Sequence, residues 1–377
     1  MSEFQRIAFR AIDGPVSEKN LKYMEQQSSR AEITPWQFDN EYQWGDFRGN
    51  AEEMLRRGYD LHLHYANFGI RNLLIRLPQG LPDLKAAQSY LAKDTLRYVK
   101  DKAGAGGILS IDPYIENGQL DELWELDDLI DRLIPLRAEI LEGDLRPLYL
   151  AHLAIVGDGN HGPDEMMEGP VPAGLTNLTD AQQALADFYG FSDGFLAAVA
   201  EASPPLPSNS TSDNSSANWL RAQPAETKDR WLADWMTDPH SIARREMLTQ
   251  FQKSRGAPTW LTASAGRTIS QLRVRAEELA AELNRKASEK SAREKAARLA
   301  QIAADPEPTL RETETLLKVR SLNAYESIAK LLAELRESLA GSDRSDLAEQ
   351  QARKLKQDNP RLRNLTAALR RKGFVPK

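Results

Sequence analysis

A chain of 377 residues, 41% apolar and 28% charged, is long enough for at least two hydrophobic cores and has the ordinary balance of a folded protein. The absence of cysteine excludes disulfides, thiolate catalysis and zinc ribbons and suits a reducing, cytoplasmic setting, and no stretch reaches the roughly 18 uninterrupted apolar residues of a membrane span. The formal charge of −6 is unevenly spread: residues 219–377 hold 31 Lys plus Arg against 21 Asp plus Glu, a net of +10, while residues 1–218 carry −16.

Residues 6–12 (RIAFRAI) read as a strand, and Ser17 is placed to cap a helix through Leu21, Tyr23 and Met24. In residues 36–44, Trp36, Phe38, Tyr42 and Trp44 alternate with Gln37, Asp39, Glu41 and Gln43, the period of a strand with one aromatic and one polar face. Asn50 then caps a helix through Met54 and Leu55. Residues 60–67 (DLHLHYAN) alternate again, with Leu61, Leu63 and Tyr65 on one side and His62 and His64 on the other. A turn at Asn67 to Ile70 and the alternating Leu73, Ile75 and Leu77 complete an antiparallel hairpin. Residues 96–100 and 108–114, joined through Gly104, Gly106 and Gly107, read as a second.

From Leu120 onward the spacing turns helical: Leu126, Leu129, Ile130, Leu133 and Ile134, then Leu145 to Ile155 around Pro147, then a capped helix from Thr179. Residues 203–218 (SPPLPSNSTSDNSSAN) hold one large apolar residue and read as a flexible linker. Beyond them Trp219, Leu220, Trp231, Leu232 and Trp235 mark a compact helical start. Residues 268–304 read as one long charged helix, with a seam of Ile269, Leu272, Ala276, Leu279 and Leu283 that loses its coiled-coil register at Lys286 and Lys290. Residues 305–377 read as a helical hairpin turning near Gly341 and Ser342.

The expected architecture is an α+β N-terminal half, an antiparallel sheet with helices packed on one side, followed by an all-α C-terminal half. The expected divisions are an α+β domain at 1–118, a helical extension at 119–202, the linker at 203–218, a helical segment at 219–304 and the hairpin with its basic end at 305–377.

Several runs carry a family likeness: FRAID, ITPWQFDNEYQWGDFRGN, HLHYANFGIRNLLIRLP, IPLRAEILEGDLRPLYL, GLTNLTDAQQALADFYGF, AYESIAKLLAELRESL and NPRLRNLTAALRRKGF. On these the chain resembles a family of uncharacterised bacterial proteins over most of its length, least across residues 203–218 and the charged helix. The resemblance implies no established activity. It does imply an interaction role, with a SWIM-type zinc-finger protein as partner, because members are often encoded beside such proteins. The chain departs from the family pattern at Phe68, where a Trp is usual, and at His64, where a non-histidine is usual, which argues against a family-wide metal site using both histidines.

Candidate chemistry is sparse. His62 and His64 share a strand face, and an ion held there would need a third ligand from Asp46, Asp60 or Glu41; two half-exposed histidines on a sheet are the simpler expectation. Trp36, Phe38, Tyr42 and Trp44, with Asp46, His62, His64 and Asn67 near them, form a candidate binding surface, although core packing accounts better for aromatics opposite Asp39 and Glu41. The run 158–165 (DGNHGPDE) departs from the calcium-loop order and reads as a solvated loop, and the acidic residues of 121–131 read as the wet face of a helix. Arg361, Arg363, Arg370, Arg371 and Lys372 could meet nucleic-acid phosphates. No phosphate loop, nucleophile elbow or HExxH motif is present, and no cofactor is expected. The leading expectation is a non-catalytic, cytoplasmic protein-interaction protein of adaptor or scaffold type. The alternatives are a nucleic-acid-associated protein and a metal-dependent hydrolase centred on His62 and His64.

Overall fold

The computed structural model describes residues 4–113, 128–156, 166–206, 215–237, 243–254 and 260–376. The chain divides into two compact units, Met1–Ala281 and Glu282–Lys377.

The first unit is built on a seven-stranded antiparallel sheet of β1 (Gln5–Arg10), β2 (Glu32–Ile33), β3 (Gln37–Tyr42), β4 (Leu61–Ala66), β5 (Ile70–Leu77), β6 (Leu96–Lys100) and β7 (Gly107–Ile111), in the order β2-β3-β1-β4-β5-β7-β6. The two expected hairpins are β4–β5, turning at Gly69 with φ of 116°, and β6–β7. Alternation gives the sheet two apolar faces rather than one. Ala8, Leu61, Leu63, Leu73, Ile75 and Leu109 point to one side, and Ile7, Phe9, Phe38, Leu74 and Ile108 to the other. Both sides therefore need cover, and helices pack on both, not on one side as the sequence reading had it.

On the second of these faces lie α1 (Glu18–Glu25) and α2 (Ala51–Arg57), whose Met24, Met54 and Leu55 are buried with Phe9 and Phe38. Asn50 caps α2 by accepting the Glu53 N–H at 3.0 Å. Ser17 stands at the N-cap of α1, but its side chain makes no capping bond. A short α3 (Leu84–Ala87) precedes β6. The other face is covered by α4 (Leu129–Leu141), α5 (Arg146–Val156), α6 (Asp180–Phe188) and α7 (Asp193–Glu201). Pro147 falls in the first turn of α5, where a missing N–H costs no helical bond. Thr179 and Gln182 form a capping box on α6.

Residues 203–218, expected as a linker, fall within the first unit, which runs to Ala281. Ser203 donates to the Pro172 carbonyl at 2.7 Å, residues 207–214 lie outside the described residues, and Ser215 already begins a helix, α8 (Ser215–Ala222). Two more helices, α9 (Ala225–Thr237) and α10 (Ala243–Ser254), follow, with Trp219, Trp231 and Phe251 in ring contact. The chain then returns to the first core. β8 (Val171–Pro172) pairs with β9 (Thr262–Ala263), and Ile269, Leu272 and Ala276 at the start of α11 (Ile269–Ala304) are buried in the main cluster. The first part of the apolar seam read from the sequence is thus an intramolecular core contact, with Leu279 half-buried against it and Leu283 exposed. Burying a Leu or Ile side chain contributes roughly 1.5–3 kcal/mol, so this stripe outweighs the low hydrophobicity of the tether before it.

The second unit has its own core, in which α13 (Leu322–Ser338) contributes Tyr325, Ile328, Leu332 and Leu335 and meets α12 (Glu307–Val319), α14 (Leu347–Asp358) and α15 (Arg363–Arg371). The expected hairpin is thus four helices. Arg320, between α12 and α13, adopts a left-handed conformation at φ 53°, and Gly341 turns the chain after α13 at φ 77°. Among the described residues no helix is long and apolar enough to cross a membrane.

Candidate binding site

The register of β1 against β4 places Ile7 opposite His64 and Phe9 opposite His62, so both imidazoles lie on the face covered by α1 and α2. The two rings have different surroundings. His62 is buried, stacks on Phe9 with ring centres 4.1 Å apart, and donates from Nδ1 to the Ala8 carbonyl at 3.1 Å. Burial, reinforced by neighbouring His64, lowers its pKa to about 3. His64 donates from Nε2 to Gln5 Oε1 at 3.0 Å, and Gln5 in turn donates to Asp46 Oδ1 at 3.0 Å and to the Gly45 carbonyl at 3.1 Å. Burial lowers His64 to about 4, against the pull of Asp46.

The loop after β3 therefore closes over the histidines. Phe47 reaches back to Phe9, Phe38 and His62, while Trp44 stays 80% exposed. Of the expected surface, the structure brings Asp46, His62 and His64 together. Phe38 is core and Tyr42 half-buried, but Trp36 and Trp44 fall beyond the ends of β3 and are exposed, so the four aromatics do not form one packed face. Asn67 accepts the Phe4 N–H at 3.0 Å and fastens the start of β1. Glu41 pairs with Arg6 at 2.6 Å, and Asp60 turns to Arg137 and the Ile12 N–H. Neither can join the histidines, and the described residues contain no group of three metal-ligating side chains. Residues 158–165 lie outside the described residues.

A second polar site, unmarked by any motif, lies at the far end of the sheet. A pocket of about 210 Å³ is lined by Asp13, Asn20, Tyr59, Asp60 and Arg76 together with the end of α2. Its floor is a buried ion cluster. Arg137 from α4 donates to both oxygens of Asp13 at 2.9 and 2.5 Å, stands 3.5 Å from Asp60 Oδ1, and donates from Nε to the Arg76 carbonyl at 2.7 Å. Asp60 Oδ2 accepts the backbone N–H groups of Ile12 and Asp13. The Tyr59 hydroxyl donates to the Thr34 and Gln37 carbonyls, and burial raises its pKa. Asp13 and Arg137 are 124 residues apart, so nothing local in the sequence announces the pair.

A third feature is apolar. On α9, Trp231 is buried, yet Leu232, Trp235 and Met236 are 55%, 64% and 82% exposed and lie at i, i+3 and i+4 on one helix face. The sequence reading took Trp219, Leu220, Trp231, Leu232 and Trp235 together as a compact helical start. Spacing alone cannot separate two apolar stripes on one helix, and here only one is covered.

Arg361, Arg363, Arg370, Arg371 and Lys372 are all exposed, with Arg371 held by Glu326 at 3.0 Å and Arg370 donating to the Pro376 carbonyl. No protein-family model, no curated protein and no solved structure matches the chain.

Proposed function

We propose that the chain is a non-catalytic protein-interaction protein of adaptor or scaffold type that works in the cytoplasm. The observation that carries this reading is the exposed Leu232, Trp235 and Met236 face. Aromatic and Met side chains supply most of the energy at protein interfaces, whereas on a monomer surface they gain nothing from exposure. The composition, without cysteine, suits a reducing compartment. The resemblance noted above makes a SWIM-type zinc-finger protein the first partner to test.

The test is affinity purification of the full chain with mass spectrometry, beside a Trp235→Ser, Met236→Ser double variant. A stoichiometric partner is expected with the parent chain and not with the variant, whose melting temperature is unchanged because both side chains are already in water. No such partner, or one retained equally by the variant, would remove the reading.

A nucleic-acid reading rests on the exposure of the five basic residues of the C-terminal helix region. It requires binding that weakens steeply with salt, and no mobility shift at low salt eliminates it.

A further inference from the structure

We propose that the outer edge of β6 is a docking site, separate from the α9 face, for an extended acidic segment of another protein, taken up as an added strand of the sheet. β6 ends the seven-stranded order and has β7 as its one neighbouring strand among the described residues. Two flanking bonds fix which way its peptide groups point. The Asp112 N–H donates to the Thr95 carbonyl at 2.7 Å and the Asp101 N–H to the Gly106 carbonyl at 2.9 Å, so Thr95 and Asp101 face β7. Bonded positions alternate in an antiparallel ladder, so Arg97 and Val99 also face β7, while Leu96, Tyr98 and Lys100 turn their N–H and C=O groups outward. Leu96 spends both groups on Ala92, at 3.1 and 2.8 Å. Tyr98 and Lys100 have no such partner among the described residues, which leaves successive donors and acceptors in a row. Main-chain groups of this kind are what an incoming strand pairs with. The opposite edge of the sheet, β2, offers only the two residues Glu32–Ile33.

Charge selects the occupant. Residues 93–102 (KDTLRYVKDK) hold four basic side chains against two acidic ones, within a half of the chain that carries −16 in all. Arg97 is paired with Glu52 at 3.3 Å and Asp101 with Arg76 at 2.6 Å. Lys93, Lys100 and Lys102 are exposed and join no ion pair among the described residues, against the one exposed carboxylate of Asp94. If two copies paired edge to edge, these lysines would meet lysines, and like charges set opposite one another destabilise a strand pair. The occupant is therefore not a second copy. An acidic strand meets an unpaired cation at the centre of the edge and at each end. Tyr98 and Val99, half-buried on opposite faces of the sheet, give alternate side chains of that strand apolar contact.

The test is fluorescence anisotropy on the full chain with a labelled, end-capped hexapeptide of alternating Val and Glu. Three comparison probes are the same peptide with Lys for Glu, the same peptide with every backbone nitrogen methylated, and a short oligothymidylate of equal charge. Saturable binding is expected for the Val-Glu peptide, and binding weaker by roughly tenfold or more for the other three. Lys100→Glu, at an exposed side chain, is expected to weaken binding of the Val-Glu peptide roughly tenfold. Lys100→Pro removes an outward N–H while leaving the β7 ladder intact and is expected to weaken it as much; should that variant fail to fold, Lys100→Glu still decides. Amide hydrogen exchange read by NMR is expected to slow at Tyr98 and Lys100 when the peptide saturates the chain. The proposal is overturned if the Val-Glu peptide gives no saturable change at millimolar concentration, if any comparison probe binds as tightly, if Lys100→Glu binds as the parent does, or if the two amides exchange as fast with peptide as without it.

Discussion

His62 lies flat against Phe9 with its one donor spent on a backbone carbonyl, so the native state has no room for its protonated form. Its folded pKa of about 3, and that of about 4 for His64, lie below the 6.5 of an unfolded chain. Above pH 6.5 neither state binds a proton at these sites, and their contribution to stability is complete. As pH falls below 6.5 the unfolded chain takes up protons that the folded chain refuses, and stability is lost by about 1.4 kcal/mol per pH unit for each histidine until its folded pKa is reached. Urea unfolding at pH 7.0, 6.0 and 5.0 is expected to show this slope, and His62→Phe should reduce it by one proton's worth; an unchanged slope means that His62 protonates in the native state. At Arg320 the constraint is backbone geometry, because a left-handed conformation is costly for any residue with a Cβ. Arg320→Gly is expected to stabilise the second unit by roughly 0.5–1 kcal/mol, read as a higher unfolding midpoint. Alternation alone placed both histidines on one face. Their depth was not legible, because it depends on α1, α2 and Phe47 arriving from other parts of the chain. The Asp13 and Arg137 pair was invisible for the same reason.

Among elements, strands and turns were the most legible. β4 and β5 combine period-two patterning with a glycine turn, and the Asn50 and Thr179 caps sit where the sequence placed them. α11 begins where the sequence placed the long helix, but the partner of its stripe was not legible, because Ile269, Leu272 and Ala276 satisfy a heptad seam and a one-sided core stripe equally well over so few turns. The structure fixes that stripe in the first core, and Gly194 of α7 packs so closely that a Cβ there would lie 2.6 Å from the Ala276 carbonyl oxygen. Leu272→Ala is therefore expected to cost the first unit about 2–5 kcal/mol. Hydrogen exchange should show it as lost protection in β4 and β5; loss confined to α11 would mean that the helix start belongs to a separate body.

At the scale of the molecule, the linker expected from the composition of residues 203–218 falls inside the first unit, whose limit is Ala281. The Ser- and Pro-rich run suggested a border because low hydrophobicity there is a local property. Membership of a core is decided by where the chain goes next, and Trp260 comes back to donate to the Ala173 carbonyl at 3.2 Å. Its neighbour on the outgoing side is close: Gly174 donates to the Pro204 carbonyl at 2.9 Å, and Ala173 to the Leu261 carbonyl at 2.8 Å. Buried Glu168 strengthens the return, accepting from Arg267 Nε at 2.5 Å and from the Tyr149 hydroxyl. Replacing residues 207–259 by a short Gly-Ser linker is accordingly expected to leave the first unit folded, with its near-ultraviolet circular dichroism and cooperative melting retained. A non-cooperative melt would show that the excised helices are needed to complete it.

Departure and return through one doorway beside β8 have a mechanical corollary. A load applied to the α9 side of the excursion reaches the body at Ala173 and Gly174, and there the incoming and outgoing strands pull on adjacent peptide units. Both ends of that excursion are thus fastened to two consecutive residues, Ala173 and Gly174.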